Sequence, residues 1–305
     1  MQNDEQRQFI LTPIVNILQD TVNACKGIGQ GIETQSLGEY VLQTTFLKMT
    51  GAQEQKLKGI CWEMATDDYD YRYQYLKKNY GECSSYSDKS CVYRDILAKL
   101  IKLDKGFCVG KLFDDVDVTP KLDLVIAQKV REAQKNQEKK KDRPLTDEEK
   151  EKMEAGMRKY YTRNGLCEKE QEAFSRRVLF LKVQEMIDRI VGKSLVAQWE
   201  EHNYLNYMTL WKGLSKWSFA TGDLLMCKEL QEFYSTVVYE HRNKCAHNLL
   251  SLQKNLPTLK TLEEEEFMYN NYYFRFSALV LLDEGFVRLF KAYLGAMARY
   301  KVART

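Results

Sequence analysis

The sequence predicts an all-α protein, and three observations carry that prediction. Turn formers are scarce: 305 residues hold 4 Pro and 16 Gly, against about 5% and about 7% in average usage. A sandwich or barrel, which needs a turn every few positions, does not fit. Apolar residues recur at three- and four-residue spacing along most of the chain, and no internal repeat of about 20 to 50 residues is present. The hydrophobic set makes up 44% and charged residues 29%, enough apolar side chain for a sizeable core and too much for wholesale disorder. No apolar run is long enough for a membrane span. The polar start, Met1 to Gln8, leads into only a short apolar stretch, so no signal peptide is expected.

The elements follow in order. Residues 5–25 carry Phe9, Ile10, Ile14, Val15, Ile17, Leu18 and Val22 at helical spacing, with Pro13 as an early break or first-turn residue. Gly27, Gly29 and Gly31 form a flexible connection. They are not a dinucleotide loop, because no strand precedes them and the third glycine has the wrong offset. One long helix is expected from Leu37 to Lys78, and its end overlaps the tyrosine-rich segment Asp67 to Tyr80, with Tyr69, Tyr71, Tyr73, Tyr75 and Tyr80. Residues 81–91 read as a loop, 92–104 as a helix and 106–120 as irregular, with Thr119-Pro120 opening the next helix. Residues 128–160 form a charged helical hairpin or a mobile arm, with the basic run Lys139-Lys140-Lys141. It is either a solvated face or a contact to RNA phosphates. Thr146 and Glu149 form a capping box at its second helix. Helices are then expected from Lys169 to Glu200, from Tyr204 to Phe219 and from Gly222 or Asp223 to His241. Pro257 marks a loop, and a final helix runs from Leu262 to Met297.

Charge and cysteine usage narrow the chemistry. Lys and Arg total 46 against 43 Asp and Glu, a net charge of +3. Any anionic partner must therefore meet a local patch. The 8 cysteines include no C-x-x-C pair, so they read as reduced, mostly buried thiols of a cytoplasmic protein. With no metal-ligand spacing and no Gly-rich phosphate loop, neither a metal nor a cofactor is expected.

One constellation carries chemistry. The 3 histidines are His202, His241 and His247, and the last two lie in Glu240-His241-Arg242-Asn243-Lys244-Cys245-Ala246-His247-Asn248. Histidine suits proton transfer near neutral pH. On a helix, Tyr239, Asn243 and His247 share one face, so Asn243 can orient the His247 ring. Arg242 lies about 140° round the helix from His247 and about 7.5 Å along it. One copy cannot aim both at one point, whereas two copies about a two-fold axis can enclose a shared cleft. Two arginines and two histidines there match the needs of an RNA phosphodiester: a 2′-hydroxyl to deprotonate, a leaving oxygen to protonate and a phosphorane charge to neutralise. The competing reading is a helix C-terminus whose Arg242, Lys244 and His247 answer the helix dipole.

Arg242-Asn243-Lys244-Cys245-Ala246-His247, followed by Asn248, resembles the R-x4-6-H motif of HEPN domains in its Arg-Asn-x-x-Ala-His form. The resemblance implies an all-α bundle of HEPN type with extra N-terminal helices and a charged arm. It also implies a metal-independent ribonuclease acting as a homodimer, in a toxin or phage-defence setting with an antitoxin or defence-system partner. Arg242, His247 and Asn243 would be catalytic, with Lys244, Asn248 and His241 near the RNA. His241 otherwise reads as a solvated histidine, and His202 as an exposed or paired one. An early helix of the family often carries an acidic residue in an apolar setting, and residues 51–56, with Glu54, are placed there. The division expected is 1–127, an N-terminal helical region; 128–160, the arm; and 161–305, the bundle with the motif. The alternative function is a non-catalytic HEPN-like module that binds protein or RNA. Lys291, Arg299, Lys301 and Arg304 either touch phosphate or solubilise the tail.

Overall fold

Proline sets the first corner. The computed structural model describes residues 2–25, 35–77, 82–116, 122–191, 217–247 and 272–303. Helices α1 (Gln2–Leu11) and α2 (Val15–Cys25) meet at Pro13, whose ring removes a backbone donor. The freed backbone groups are satisfied from elsewhere. The Ile14 amide donates to Asp283 Oδ2 at 2.9 Å, and Lys56 Nζ donates to the Thr12 carbonyl. Lys56 and Asp283 also pair with each other at 2.6 Å, both nearly inaccessible to solvent. Removing either partner of such a buried pair strands the other charge.

Helix α3 (Gln35–Asp67) is the longest element. The single helix expected to Lys78 is in fact two, because α4 (Tyr69–Lys77) starts after a break at Asp68. The Asp68 carboxylate accepts from the Tyr71 amide at 3.0 Å, so it caps a new helix instead of continuing the old one. Within the tyrosine row, Tyr71 is buried and stacks on Tyr75 at 6.0 Å, while Tyr69 and Tyr73 face out. The expected 81–91 loop is shorter than its composition suggests. Ser85 accepts from the Asp88 amide and starts α5 (Tyr86–Leu103), and packing of Val92, Tyr93 and Ile96 sustains the polar first turns. A short 3₁₀ turn, Val109–Phe113, interrupts the stretch expected to be irregular.

The charged stretch is a helical hairpin, α6 (Leu122–Lys141) and α7 (Asp147–Asn164), with the Thr146–Glu149 capping box formed as expected. Its own apolar contact is small: Ile126, Val130 and Tyr161, flanked by Met157 and Leu166. Helix α8 (Glu168–Val191) buries Phe174, Val178, Leu179, Val183 and Ile187.

The end of the helix expected to Phe219, whose residues 204–216 lie outside the described residues, and the start of the one expected from Gly222 or Asp223 fall in a β-hairpin. Strands β1 (Phe219–Thr221) and β2 (Leu224–Met226) pair antiparallel, Phe219 opposite Met226 and Thr221 opposite Leu224. The two-residue Gly222-Asp223 turn needs a left-handed first residue, which Gly222 supplies at φ 65°. The following helix therefore starts later, as α9 (Lys228–Phe233). It continues through a π-helical turn, Tyr234–Tyr239, into α10 (Glu240–His247). Helix α11 (Tyr272–Val302) extends past the expected end at Met297. It is buried on nearly all sides in its first half and packs on α3, α5 and α8. Gly285 lets the hairpin in: a Cβ there would lie 1.8 Å from Phe219 Cζ.

One hydrophobic core takes residues from the 1–127 and 161–305 segments alike, joining α1–α5, α8, the hairpin and α11. Among the described residues, no helix is long and apolar enough to cross a membrane. Several expectations lie outside the described residues: the Gly27–Gly31 connection, Thr119-Pro120, the 192–216 stretch with His202, the Pro257 loop, Asn248 and Arg304.

Candidate functional site

The motif occupies the last helical turns before residue 248, and its flank rests on α3. Arg242 Nη2 lies 3.2 Å from Glu54, and Arg242 Nη1 donates to Asn243 Oδ1 at 3.1 Å. Glu54 belongs to the early helical segment expected to carry an acidic residue in an apolar setting, and it is buried. The pair is lopsided in access: the Glu54 side chain is 11% exposed and that of Arg242 25%. The guanidinium is thus oriented from behind and open in front. Bonds from a charged donor to a carboxylate are about twice as strong as neutral ones, so the fork has a fixed direction.

Asn243 is half-buried and spends its carbonyl oxygen on Arg242. Its expected partner, the His247 ring, lies outside the described side chains, although the His247 backbone closes α10. Lys244 is exposed beside the motif. Arg299 and Lys301 pair with Asp104 and Asp67 at 3.7 and 3.2 Å.

His241 departs from expectation. It is not a solvated neighbour of the motif, because its ring turns inward between Phe46 and Tyr272, with centroids 5.1 and 5.2 Å away. Nε2 lies 3.0 Å from the Tyr272 hydroxyl and 3.3 Å from Cys245 Sγ. Burial, with help from Arg275 and Lys244, pushes its pKa down to about 2. A ring packed between two aromatics and held neutral offers no charge to a phosphate, although His241 as a whole is half-buried and not sealed from solvent. The physical cause is spacing: His241 and Cys245 are four apart on the core side of α10, and Arg242 is one step round toward its flank.

Behind Arg242 lies a buried polar cluster that sequence reading missed. Lys89 on α5 is 1% exposed and donates to the Cys83 carbonyl at 2.5 Å. Its ammonium lies 5.8 Å from the Tyr234 ring centroid. Burial lowers the Lys89 pKa to about 8, against the pull of Glu54. Tyr234 donates to Gln53 Oε1 at 3.3 Å, and Gln53 donates to the Leu279 carbonyl at 3.0 Å. Burial also pushes the thiols of Cys83 and Cys61 up, to about 11 and about 12, so neither is a ready nucleophile. At the outer edge Lys58, one turn beyond Glu54, pairs with Glu82. Nothing local marks Lys89 or Glu82 in the sequence, because both reach the motif only through the packing of α3, α5 and α10.

Among the described residues, no three of His, Cys, Asp and Glu converge to hold a metal ion. No family model matches this chain, and neither a curated protein nor a solved structure is similar enough to match it.

Proposed function

We propose that the chain is an endoribonuclease of HEPN type, with Arg242 and His247 as its catalytic pair. The observation that carries the reading is the Arg242 guanidinium, fixed by Glu54 and Asn243 while a quarter of its side chain stays open. Such a group is suited to a phosphate that arrives from solvent. In the reaction His247 takes the proton of the 2′-hydroxyl, and the 2′-oxygen attacks the adjacent phosphorus. Arg242 stabilises the charge on the phosphorane, and the 5′-oxygen leaves with a proton from a second histidine. The products are a 2′,3′-cyclic phosphate and a 5′-hydroxyl. On this reading the second histidine comes from a partner copy across a two-fold axis, which the angular offset of Arg242 and His247 on one helix supports. The biological setting that goes with this reading is toxin or phage defence.

The test is incubation of the purified protein with total RNA in EDTA, wild type beside His247→Ala. The expected result is cleavage by the wild type only, with cyclic phosphate ends. General acid–base catalysis is worth about 10²–10⁴-fold, so the variant should be nearly silent. A 2′-deoxy substitution at the cut site should block cleavage, and cleavage there refutes the mechanism.

A second reading is favoured by the same ion pair. Arg242 already has a carboxylate partner, so the pair also serves as a clamp between α10 and α3 in a non-catalytic helical module. That reading expects Arg242→Ala to melt the protein rather than silence it.

A further inference from the structure

The outward face of α3 runs beside the motif. At about 100° per residue, Tyr40, Thr44, Lys48, Gln55, Lys58 and Trp62 fall within an arc of about 80°. All are exposed or half-buried; Tyr40 is 58% and Trp62 61% exposed. The charged residues of this stripe are lysines, while the α3 carboxylates Glu54 and Glu63 are buried off it. The Glu54–Arg242 bridge ties α3 to the motif, and the charge of Arg242 is felt at Glu82, the partner of Lys58 in the stripe. From Tyr40 to Trp62 it extends about 33 Å at 1.5 Å per residue.

An aromatic face at each end with two cations between them suits single-stranded nucleic acid, whose bases stack and whose phosphates seek positive charge. A second copy of the chain fits worse, since a two-fold contact here sets lysines against lysines. A further observation marks the place of an anion. The Glu82 carboxylate rests on Lys58. The hydrogen bond and charge of Lys58, with a further contribution from Arg242, hold Glu82 below the usual carboxylate range. An exposed pair of this kind is easily replaced, and a phosphate in the same position meets both cations.

We propose that the α3 stripe is the track for single-stranded RNA entering the Arg242 site, with bases stacked on Trp62 and Tyr40 and phosphate displacing Glu82 from Lys58. The proposal rests on the ribonuclease reading for the identity of the polymer and is tested separately from cleavage.

The experiment measures binding of a labelled single-stranded oligoribonucleotide to the full-length His247→Ala protein, with the matching duplex as comparison. Trp62→Ala should weaken single-strand binding by about five- to a hundredfold, the worth of one stacked base, and Trp62→Phe should restore most of it. Lys58→Gln should weaken binding and flatten its salt dependence. Glu82→Gln should tighten it, a direction that unfolding does not mimic. Lys228→Gln, exposed at the start of α9, should change nothing. Unaltered binding in Trp62→Ala, weaker binding in Glu82→Gln, or loss of self-association in place of RNA binding overturns the proposal. If the stripe variants behave as expected while the wild type cuts no RNA, the track stands and the nuclease reading falls. If the wild type cuts RNA and the stripe variants bind normally, the reverse holds.

Discussion

His241 shows how one side chain records its surroundings. Its ring is neutral in the folded protein far below the ordinary histidine value of 6.5, because burial and two nearby cations oppose its charge. The unfolded chain binds a proton near pH 6.5, and the folded one does not until about 2. The stability this provides is complete above pH 6.5 and is lost as pH falls through the interval below it. Urea melts of wild type and His241→Phe between pH 7 and 4 test this. The wild type should lose up to about 1.4 kcal/mol per pH unit from this group, and the variant should lack that slope. Identical slopes would show that the ring is not buried. Arg242 belongs to the same scale. Its clamp and catalytic roles separate when Arg242→Ala is assayed for melting and cleavage together. The ribonuclease reading expects lost cleavage and a stability change within about 1 kcal/mol.

At the scale of elements, the β-hairpin and α11 are mutually dependent. Phe219 occupies the space over Gly285, and Phe113 meets the edge of the same ring at 6.4 Å. A methyl at Gly285 cannot fit without moving β1. Gly285→Ala should therefore destabilise by about 1–3 kcal/mol, the usual cost of overpacking, and Phe219→Leu in that background should recover part of it. Denaturant midpoints of the two variants decide, and a neutral Gly285→Ala would refute the packing. The hairpin itself was legible in part. A Gly-Asp pair between two short apolar runs is a turn signal, yet Leu224, Cys227 and Leu230 also fit a helix. Periodicity could not separate the two over so few residues. The Asp68 break and the Ser85 start belong with it: both depend on one side-chain cap, and a cap residue looks the same in the sequence whether or not it is used.

For the whole molecule, the proposed reaction needs two copies. Mixing Arg242→Ala protein with His247→Ala protein should regain part of the cleavage that each has lost, because the cleft of a mixed dimer keeps one Arg242 and one His247, a combination that neither variant has by itself. Ultracentrifugation of the active species should show a dimer, and full activity in a monomer would end the composite-site idea. The charged hairpin α6–α7 reaches the main core at Val125 near the start of α6 and otherwise rests on its own small contact of Ile126, Val130 and Tyr161.

Read alone, the residues establish that the chain is built from helices, because helical periodicity and scarce turn residues are local properties. They establish the α7 capping box for the same reason, since donor and acceptor lie three residues apart. They also single out Arg242 and His247, and, separately, the acidic segment around Glu54. Only packing in three dimensions reveals that Glu54 holds Arg242 across 188 positions of chain, that Lys89 and Tyr234 stand behind them, and that His241 faces the core instead of solvent. Contacts at such separation are set by how whole helix faces pack, and a single residue's neighbours in sequence carry no trace of them.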